Sequence, residues 1–210
     1  MSEIKMITNN RNPPFIPTSD YEELSFGDKI TMDDGSTLYR VKTTHMTHGS
    51  VRFVLPTLIA PFGVYDGEYG SSIDFSVTDD VEKQIMTIEG ALKRLLTAYD
   101  CDFDTIKSMR PLLYHSPEKK DDDTKYPPRI RMKIKKFTKF TDSHGNAYED
   151  TVPKGAMIRA MFLMSVWMSG DRKKVSITLT LSDARLVKTE KTKQIDYFKI
   201  LDEAEETSSG

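Results

Sequence analysis

Alternation of apolar and polar residues is clearest between residues 127 and 187, where it predicts three strands. In the first, 128–135, apolar side chains take one face and four cations the other, because successive side chains of a strand point to opposite faces. The second is the long apolar run 156–168, and the third is 175–182, the most regular period of two in the chain. The cations of the first strand are Arg129, Arg131, Lys133 and Lys135.

Earlier segments predict further strands and one helix. From Leu24 the pattern is of the strand type, with a hairpin turn at 33–36, an alternating strand at 37–44 and a strand at 51–55 that the next proline ends. Residues 79–99 repeat apolar side chains at intervals of three and four, which predicts an amphipathic helix. Many strands with no regular strand–helix alternation predict a mainly β protein, a small barrel with one inserted helix.

The composition divides the chain into three parts. Residues 1–20 are rich in asparagine and proline and predict an extended arm. Residues 21–201 contain the patterned segments and predict a single domain, for which a chain of 210 residues is long enough. Residues 202–210 follow the last apolar cluster and predict an acidic C-terminal tail.

Charge is balanced over the whole chain but not along its length. The formal net charge of −2 excludes a strongly basic nucleic-acid-binding protein at the level of total charge. Residues 129–139, however, contain six bases and no acid, whereas residues 202–206 contain four acids and no base. This asymmetry predicts a basic binding face and an acidic tail, with ordinary solvated surface charge as the alternative.

The sequence carries few signs of catalysis. It contains no G-x-S-x-G, P-loop or dinucleotide-binding motif. His45 and His48 leave a metal-dependent hydrolase as an alternative, although the usual helical zinc motif is absent. Cys101 is the only cysteine and stands between two aspartates, which raise the pKa of a thiol and disfavour a nucleophile. We therefore predict a protein that is not an enzyme and needs no cofactor or metal ion.

Aromatic side chains accompany the cations. A protein that holds single-stranded nucleic acid without reading its sequence needs cations along the phosphates and flat side chains on which bases stack. The segments around 129–140 and 37–53 supply both residue types, although packing in the core is the alternative for each aromatic ring. The stacking candidates are Tyr39, Phe137, Phe140 and Trp167.

A series of short motifs resembles a known family. The basic strand 128–135 is followed by Phe140-Thr-Asp-x-x-Gly145, by Lys154-Gly155, and by an apolar strand containing Val166-Trp167. This order resembles the T7-type single-stranded DNA-binding proteins, in the versions found in large nucleocytoplasmic DNA viruses, including relatives of African swine fever virus. Residues 51–65 carry a fainter likeness to the N-terminal half of that family.

The resemblance implies a fold and a role. The fold is an oligonucleotide/oligosaccharide-binding (OB) barrel, and the role is sequence-independent binding of single strands during viral replication and recombination. The family's acidic tail competes with DNA and recruits replication proteins. The tail of the phage protein ends in an aromatic residue, and this sequence departs from that pattern by ending in Thr207-Ser208-Ser209-Gly210.

Our leading hypothesis is a single-stranded DNA-binding protein that acts in viral DNA replication, recombination or repair. We expect it to be intracellular, at the site of viral replication in the cytoplasm or nucleus, because the sequence has no signal peptide and no membrane-spanning apolar run. Viral replication proteins and further copies of the chain are candidate partners. The alternatives are an RNA-binding module and a viral structural or scaffolding protein with a basic face. The predicted phosphate contacts are Arg129, Arg131, Lys133, Lys135, Lys136 and Lys139, extended by Arg40, Lys42 and Arg52.

Overall fold

The computed structural model describes residues 4–7, 15–16, 24–44, 46, 49–68, 70–115 and 127–187. These ranges contain one mixed sheet of twelve strands and two helices, which confirms the mainly β prediction. The strands are β1 (Lys5–Ile7), β2 (Phe15–Ile16), β3 (Leu24–Thr31), β4 (Thr37–Thr43), β5 (Arg52–Ala60), β6 (Val64–Gly67), β7 (Gly70–Ser76), β8 (Leu113–Tyr114), β9 (Arg129–Lys133), β10 (Lys139–Thr141), β11 (Ala156–Met168) and β12 (Val175–Leu186). The helices are α1 (Asp79–Ala98) and α2 (Phe103–Ser108).

Five of the strands close into a barrel. β5 pairs with β7 on one side and with β11 on the other, so the order β5-β7-β9-β12-β11 returns to its first strand. Neighbouring strands are antiparallel except β9 and β12, which run parallel. A five-stranded closed sheet with one parallel pair and inserted helices is an OB-fold-like barrel, as expected from the sequence. β4 pairs with the last residues of β11 and carries the β3–β4 hairpin beyond the barrel.

Alternating burial positions the basic strand. In β9, Ile130 and Met132 are buried while the cations between and beside them face outwards, as the pattern predicted. The same alternation runs along β11, and its Phe162 stacks on Phe53 of β5 at 5.1 Å between ring centroids. One face of each barrel strand therefore fills the core, and the other is left for contacts outside it.

The long helix follows the predicted bounds closely. The buried side chains of α1 recur at three and four, and its first turn holds three acids, which interact favourably with the helix dipole. The short helix α2 was not predicted, because six residues are too few for a periodic pattern; Asp102 caps it by accepting a hydrogen bond from the Thr105 amide at 2.7 Å. Neither helix in the described ranges is long and apolar enough to cross a membrane.

The predicted end of a strand at Pro56 is wrong. β5 continues through this proline to Ala60. Thr57 pairs with Arg159 and Val54 with Met161, so two residues of β5 lie opposite one residue of β11. Proline is tolerated at such a bulge because the ladder hydrogen bond is already interrupted there.

Parts of the predicted domain plan lie outside the described residues. The acidic tail, 202–210, is one of these parts. The two histidines of the metal-site alternative, His45 and His48, also lie outside the described residues. Of the predicted arm, residues 5–7 form β1, which pairs with β5, and Ile4 is fully buried in the core. This piece of the arm therefore packs on the barrel.

The turn between β5 and β6 depends on a glycine. Gly63 has a φ of +65°, and a Cβ at this position would lie 2.4 Å from the carbonyl oxygen of Val152. We expect Gly63→Ala to lower the free energy of unfolding by about 2 kcal/mol, measured by urea denaturation. Gly90→Ala is the matched control: Gly90 lies within α1 with only the Arg94 side chain near its Cβ position, and we expect stabilisation by about 0.5 kcal/mol. Equal effects of the two substitutions would contradict this account.

Candidate nucleic-acid interface

A groove opens beside the basic strand because β9 and β12 pair at a single position, Thr180 with Lys133. The first half of β12 lies on one side of the groove. On the other side are β9, the tip of the β6–β7 hairpin and the segment that follows α2. The groove has a volume of about 620 Å³. Its lining residues are Tyr65, Gly67, Glu68, Gly70, Ser72, Ser108, Arg110, Pro111, Leu112, Tyr114, Arg131, Lys133, Lys174, Val175, Ser176, Ile177, Thr178 and Leu179.

The lining of the groove is strongly cationic. It includes four bases, Arg110, Arg131, Lys133 and Lys174, against a single acid, Glu68. The bases come from three segments of the chain that the fold brings together: β9, the segment that follows α2 and the turn before β12. Serine and threonine residues also line the groove. Cations and hydroxyls are the groups that contact phosphate in proteins that bind nucleic acids.

A buried carboxylate lies beside the basic strand, on the neighbouring strand of the sheet. Asp74 of β7 is 1% exposed and stands directly opposite Arg131 in the β7–β9 register. Its Oδ1 accepts hydrogen bonds from Arg131 Nε at 2.8 Å and from the Tyr65 hydroxyl at 2.6 Å, while Oδ2 accepts from Arg131 Nη2 at 3.2 Å and Arg129 Nη1 at 3.4 Å. The hydrogen bond to Asp74 raises the pKa of Arg131, and burial together with the same carboxylate raises the pKa of Tyr65.

This pairing changes the expected role of the two arginines. Arg129 and Arg131 lie on the outer face, and both form ion pairs with Asp74. The three side chains together therefore carry a net charge of +1, whereas two unpaired arginines would carry +2. The side chain of Arg131 is still 42% exposed and reaches the groove. Arg129 is 22% exposed and lies over the ring of Phe62 at 5.0 Å. The carboxylate therefore fixes the direction in which Arg131 presents its remaining donors.

Two tyrosines flank the fixed guanidinium. The Arg131 carbon Cζ lies 4.9 Å from the ring centroid of Tyr114 and 5.6 Å from that of Tyr65. Such cation–π contacts hold the rings in place. Tyr114 is 37% exposed and lines the groove, which leaves ring surface for a base to stack on. Neither tyrosine was predicted, because neither is close to the basic strand in sequence.

Tyr65→Phe separates the structural and binding roles of this cluster. Loss of the 2.6 Å hydrogen bond to a buried carboxylate should lower the free energy of unfolding by about 1.5 kcal/mol. The phenyl ring keeps its place in the groove, so affinity for single-stranded DNA should change less than about twofold, or roughly 0.4 kcal/mol. Chemical denaturation and fluorescence anisotropy measure the two quantities. A large loss of affinity without a loss of stability would show that the hydroxyl contacts DNA instead.

A basic loop continues from the end of the groove. β9 and β10 both run parallel to β12, and residues 134–138 loop out between them. The predicted strand therefore ends at Lys133 rather than at 135. Thr138 anchors the loop: its Oγ1 donates to the Leu181 carbonyl at 2.7 Å and accepts from the Lys135 amide at 3.0 Å. Lys135, Lys136 and Phe137 are exposed, and Phe137 is 56% exposed.

The next two predicted residues, Lys139 and Phe140, lie on opposite faces of β10. Lys139 is exposed on the outer face, opposite Asp183 of β12. Phe140 is half-buried and packs against the core. The structure thus brings Lys139 to the basic loop and gives Phe140 a packing role.

A second group of predicted residues lies on the outer face of β11. Trp167 is half-buried and stands between Leu38 of β4 and Ser176 of β12, and Ser176 lines the groove. Arg40 stands opposite Ser165 on the same face, and Arg52 of β5 stands opposite Leu163. This face therefore adjoins the groove across β12. Lys42 is half-buried on the same side of β4 as Arg40.

Tyr39 lies on the other face of β4. It stands opposite the buried Val166. Its ring stacks on Phe26 at 4.8 Å and meets Tyr99 edge-on at 6.1 Å between centroids. The structure does not bring Tyr39 together with Arg40 and Lys42, because neighbouring residues of a strand point to opposite sides.

The thiol considered in the sequence lies in the core. Cys101 is 5% exposed, and its Sγ lies 3.4 Å from the sulfur of Met168. Burial raises the pKa of this thiol, and the neighbouring aspartates raise it further. The direction is the predicted one, although burial rather than the aspartates is its main cause. A thiol in this state is a poor nucleophile.

Comparison with known proteins gives distant structural neighbours. No family model matches the sequence, and no curated protein sequence is significantly similar to it. A C-terminal truncation of the single-stranded DNA-binding protein from bacteriophage Enc34 is similar with a TM-score of 0.43 and 11% identity, over 81% of this chain and 98% of that chain. The same phage protein in complex with single-stranded DNA gives 0.42 and 12% over the same shares. At TM-scores this low, the likeness carries no conclusion about the family or function of this chain.

Proposed function

We propose that this protein binds single-stranded DNA in the groove between β9 and β12, without reading its sequence and without catalysing a reaction. The observation that carries the proposal is the composition of the groove: four cations and two tyrosines line one cavity, and both tyrosine rings contact the fixed guanidinium of Arg131. These are the two kinds of contact that sequence-independent binding of single strands requires.

The arrangement favours a single strand over a duplex. The ring of Tyr114 is accessible within the groove, and it can stack only on a base that is not already stacked inside a double helix. The cations and hydroxyls contact phosphates, which are the same for every sequence. The groove therefore supports binding of any sequence, with at most a modest preference set by stacking strength.

The wider role follows from the sequence resemblance. We propose that the protein acts in viral DNA replication, recombination or repair, inside the host cell, with replication proteins or further copies of itself as partners. Binding of exposed single strands is the activity that each of these processes needs. The residues proposed to contact DNA are those of the groove, the basic loop 134–138 and the outer face that includes Trp167 and Arg40.

A direct comparison of nucleic acids tests the proposal. Fluorescence anisotropy with single-stranded DNA, duplex DNA and single-stranded RNA of equal length, at one stated salt concentration, should give at least about tenfold tighter binding of the single-stranded DNA than of the duplex, or 1.4 kcal/mol. Oligonucleotides of different sequence should agree within the same factor. Tighter binding of RNA would favour the RNA-binding alternative, and no binding of any of the three would overturn the proposal.

A further inference from the structure

Two arginines occupy opposite positions on neighbouring strands of the outer barrel surface, beyond the end of the groove. Arg159 of β11 stands directly opposite Arg185 of β12, and both side chains are exposed. Their row continues to Thr57 of β5 on one side and Thr141 of β10 on the other. Four neighbouring strands thus present two guanidinium groups flanked by two hydroxyl groups.

The two positive charges stand directly opposite each other in the sheet. Like charges directly opposite on antiparallel strands repel and destabilise the sheet. Among the described residues, neither arginine forms an ion pair with a carboxylate. The nearest acid in the register is Asp183, which stands opposite Lys139. An anion placed between the two guanidinium groups would remove the repulsion, and guanidinium groups bind phosphate through paired hydrogen bonds.

The arginine pair and the groove both lie along β12. Thr180, opposite Lys133, and Arg185 are five residues apart on β12, which corresponds to about 16 Å of strand. The basic loop 134–138 and Lys139 lie between these two points, along the parallel edge of β12. Cations therefore continue without a long gap from the groove to the arginine pair.

We propose that Arg159 and Arg185 together bind a phosphate group of the nucleic-acid backbone after the strand has left the groove and passed the basic loop. The proposal rests on the function proposed above and extends it. The ligand is a phosphodiester of the same strand, held by two guanidinium groups, with the hydroxyls of Thr57 and Thr141 beside it. An oligonucleotide that only fills the groove does not reach this second site.

Arg159→Glu gives an unusual combination of expected effects. The new carboxylate faces Arg185 and replaces a repulsion by an attraction, so the melting temperature should rise by about 1 to 4 °C. Affinity for an oligonucleotide of about 16 nucleotides should fall at least about fivefold, whereas affinity for one of about 4 nucleotides should stay within about twofold; these lengths span the range of sites on OB folds. Arg159→Gln removes the positive charge without adding a negative one, so it should lower the affinity for the long oligonucleotide less than Arg159→Glu does.

Controls separate this proposal from the one it rests on. Lys29→Ala with Lys83→Ala removes two exposed charges on β3 and α1. Neither lysine belongs to the groove, the basic loop or the arginine pair, so affinity for both oligonucleotides should stay unchanged. Failure of the wild-type protein to bind either oligonucleotide would overturn the proposed function itself. If the wild-type protein binds both oligonucleotides, and neither Arg159→Glu nor Arg159→Gln changes the affinity for the long one, the second site alone is overturned. An equal loss of affinity for the short and the long oligonucleotide would place the arginine pair inside the groove site and would also contradict the proposal.

Discussion

Replacing Lys133 and Lys174 with alanine should weaken binding of single-stranded DNA on the order of 100-fold at low salt. Both lysines line the groove, one at the end of β9 and one before β12. Neither forms an ion pair with a described carboxylate, so both ammonium groups are available to phosphates. A hydrogen bond to a charged group contributes about 1.5 kcal/mol, and two of them account for the expected loss.

The salt dependence of the same variant reports the mechanism. Each phosphate contact to a single strand contributes about −0.7 to the slope of log affinity against log salt, so the slope should flatten by about 1.4. The double variant of Lys29 and Lys83 is the matched control for loss of charge and should keep both the affinity and the slope. A loss of affinity with an unchanged slope would mean that the lysines support the groove without contacting phosphates.

Replacing Tyr114 and Phe137 with alanine is the second large effect, with an expected loss of affinity of about 30-fold or more. Stacking of a base on an aromatic ring contributes about 1 to 3 kcal/mol, and these two rings are the exposed ones in the groove and in the basic loop. No cation is lost, so the salt slope should stay as in the wild type. Anisotropy titrations at several salt concentrations measure both quantities.

Aromatic replacements test whether the flat ring is what matters. Tyr114→Phe with Phe137→Tyr keeps both rings and should retain affinity within about threefold, or roughly 0.7 kcal/mol. Thermal melting of the alanine variant is a necessary check, because Tyr114 also covers the guanidinium of Arg131. Retained affinity of a folded alanine variant would exclude stacking at these positions.

Much of the fold could be predicted because its signals are local. The alternation of Ile130 and Met132 with the surrounding cations assigned the buried and outer faces of β9 correctly. The spacing of apolar residues assigned α1 to within one residue of its end. These patterns work because one face of a strand or helix must be buried, whatever its partners are.

The candidate site could be predicted only in part, because its geometry depends on pairing between distant segments. Lys133 was predicted, but Arg110 and Lys174 join it only through the fold. The partnership of Asp74 with Arg131 depends on the β7–β9 register, which carries no signature in sequence. The alternation of cations and apolar residues continues past Lys133 to Lys135, so the sequence alone predicts one continuous strand where the structure has a strand followed by a loop.

The most direct measurement is a map of amide chemical shifts when mixed-sequence single-stranded DNA is added to the isotopically labelled protein. We expect the largest changes on residues that line the groove, such as Ser72, Lys133, Ser176 and Thr178, and on the loop 134–138. We expect small changes on the outer face of α1, where Lys83 and Met86 are exposed. Changes concentrated on α1, with the groove unaffected, would show that single strands do not bind between β9 and β12.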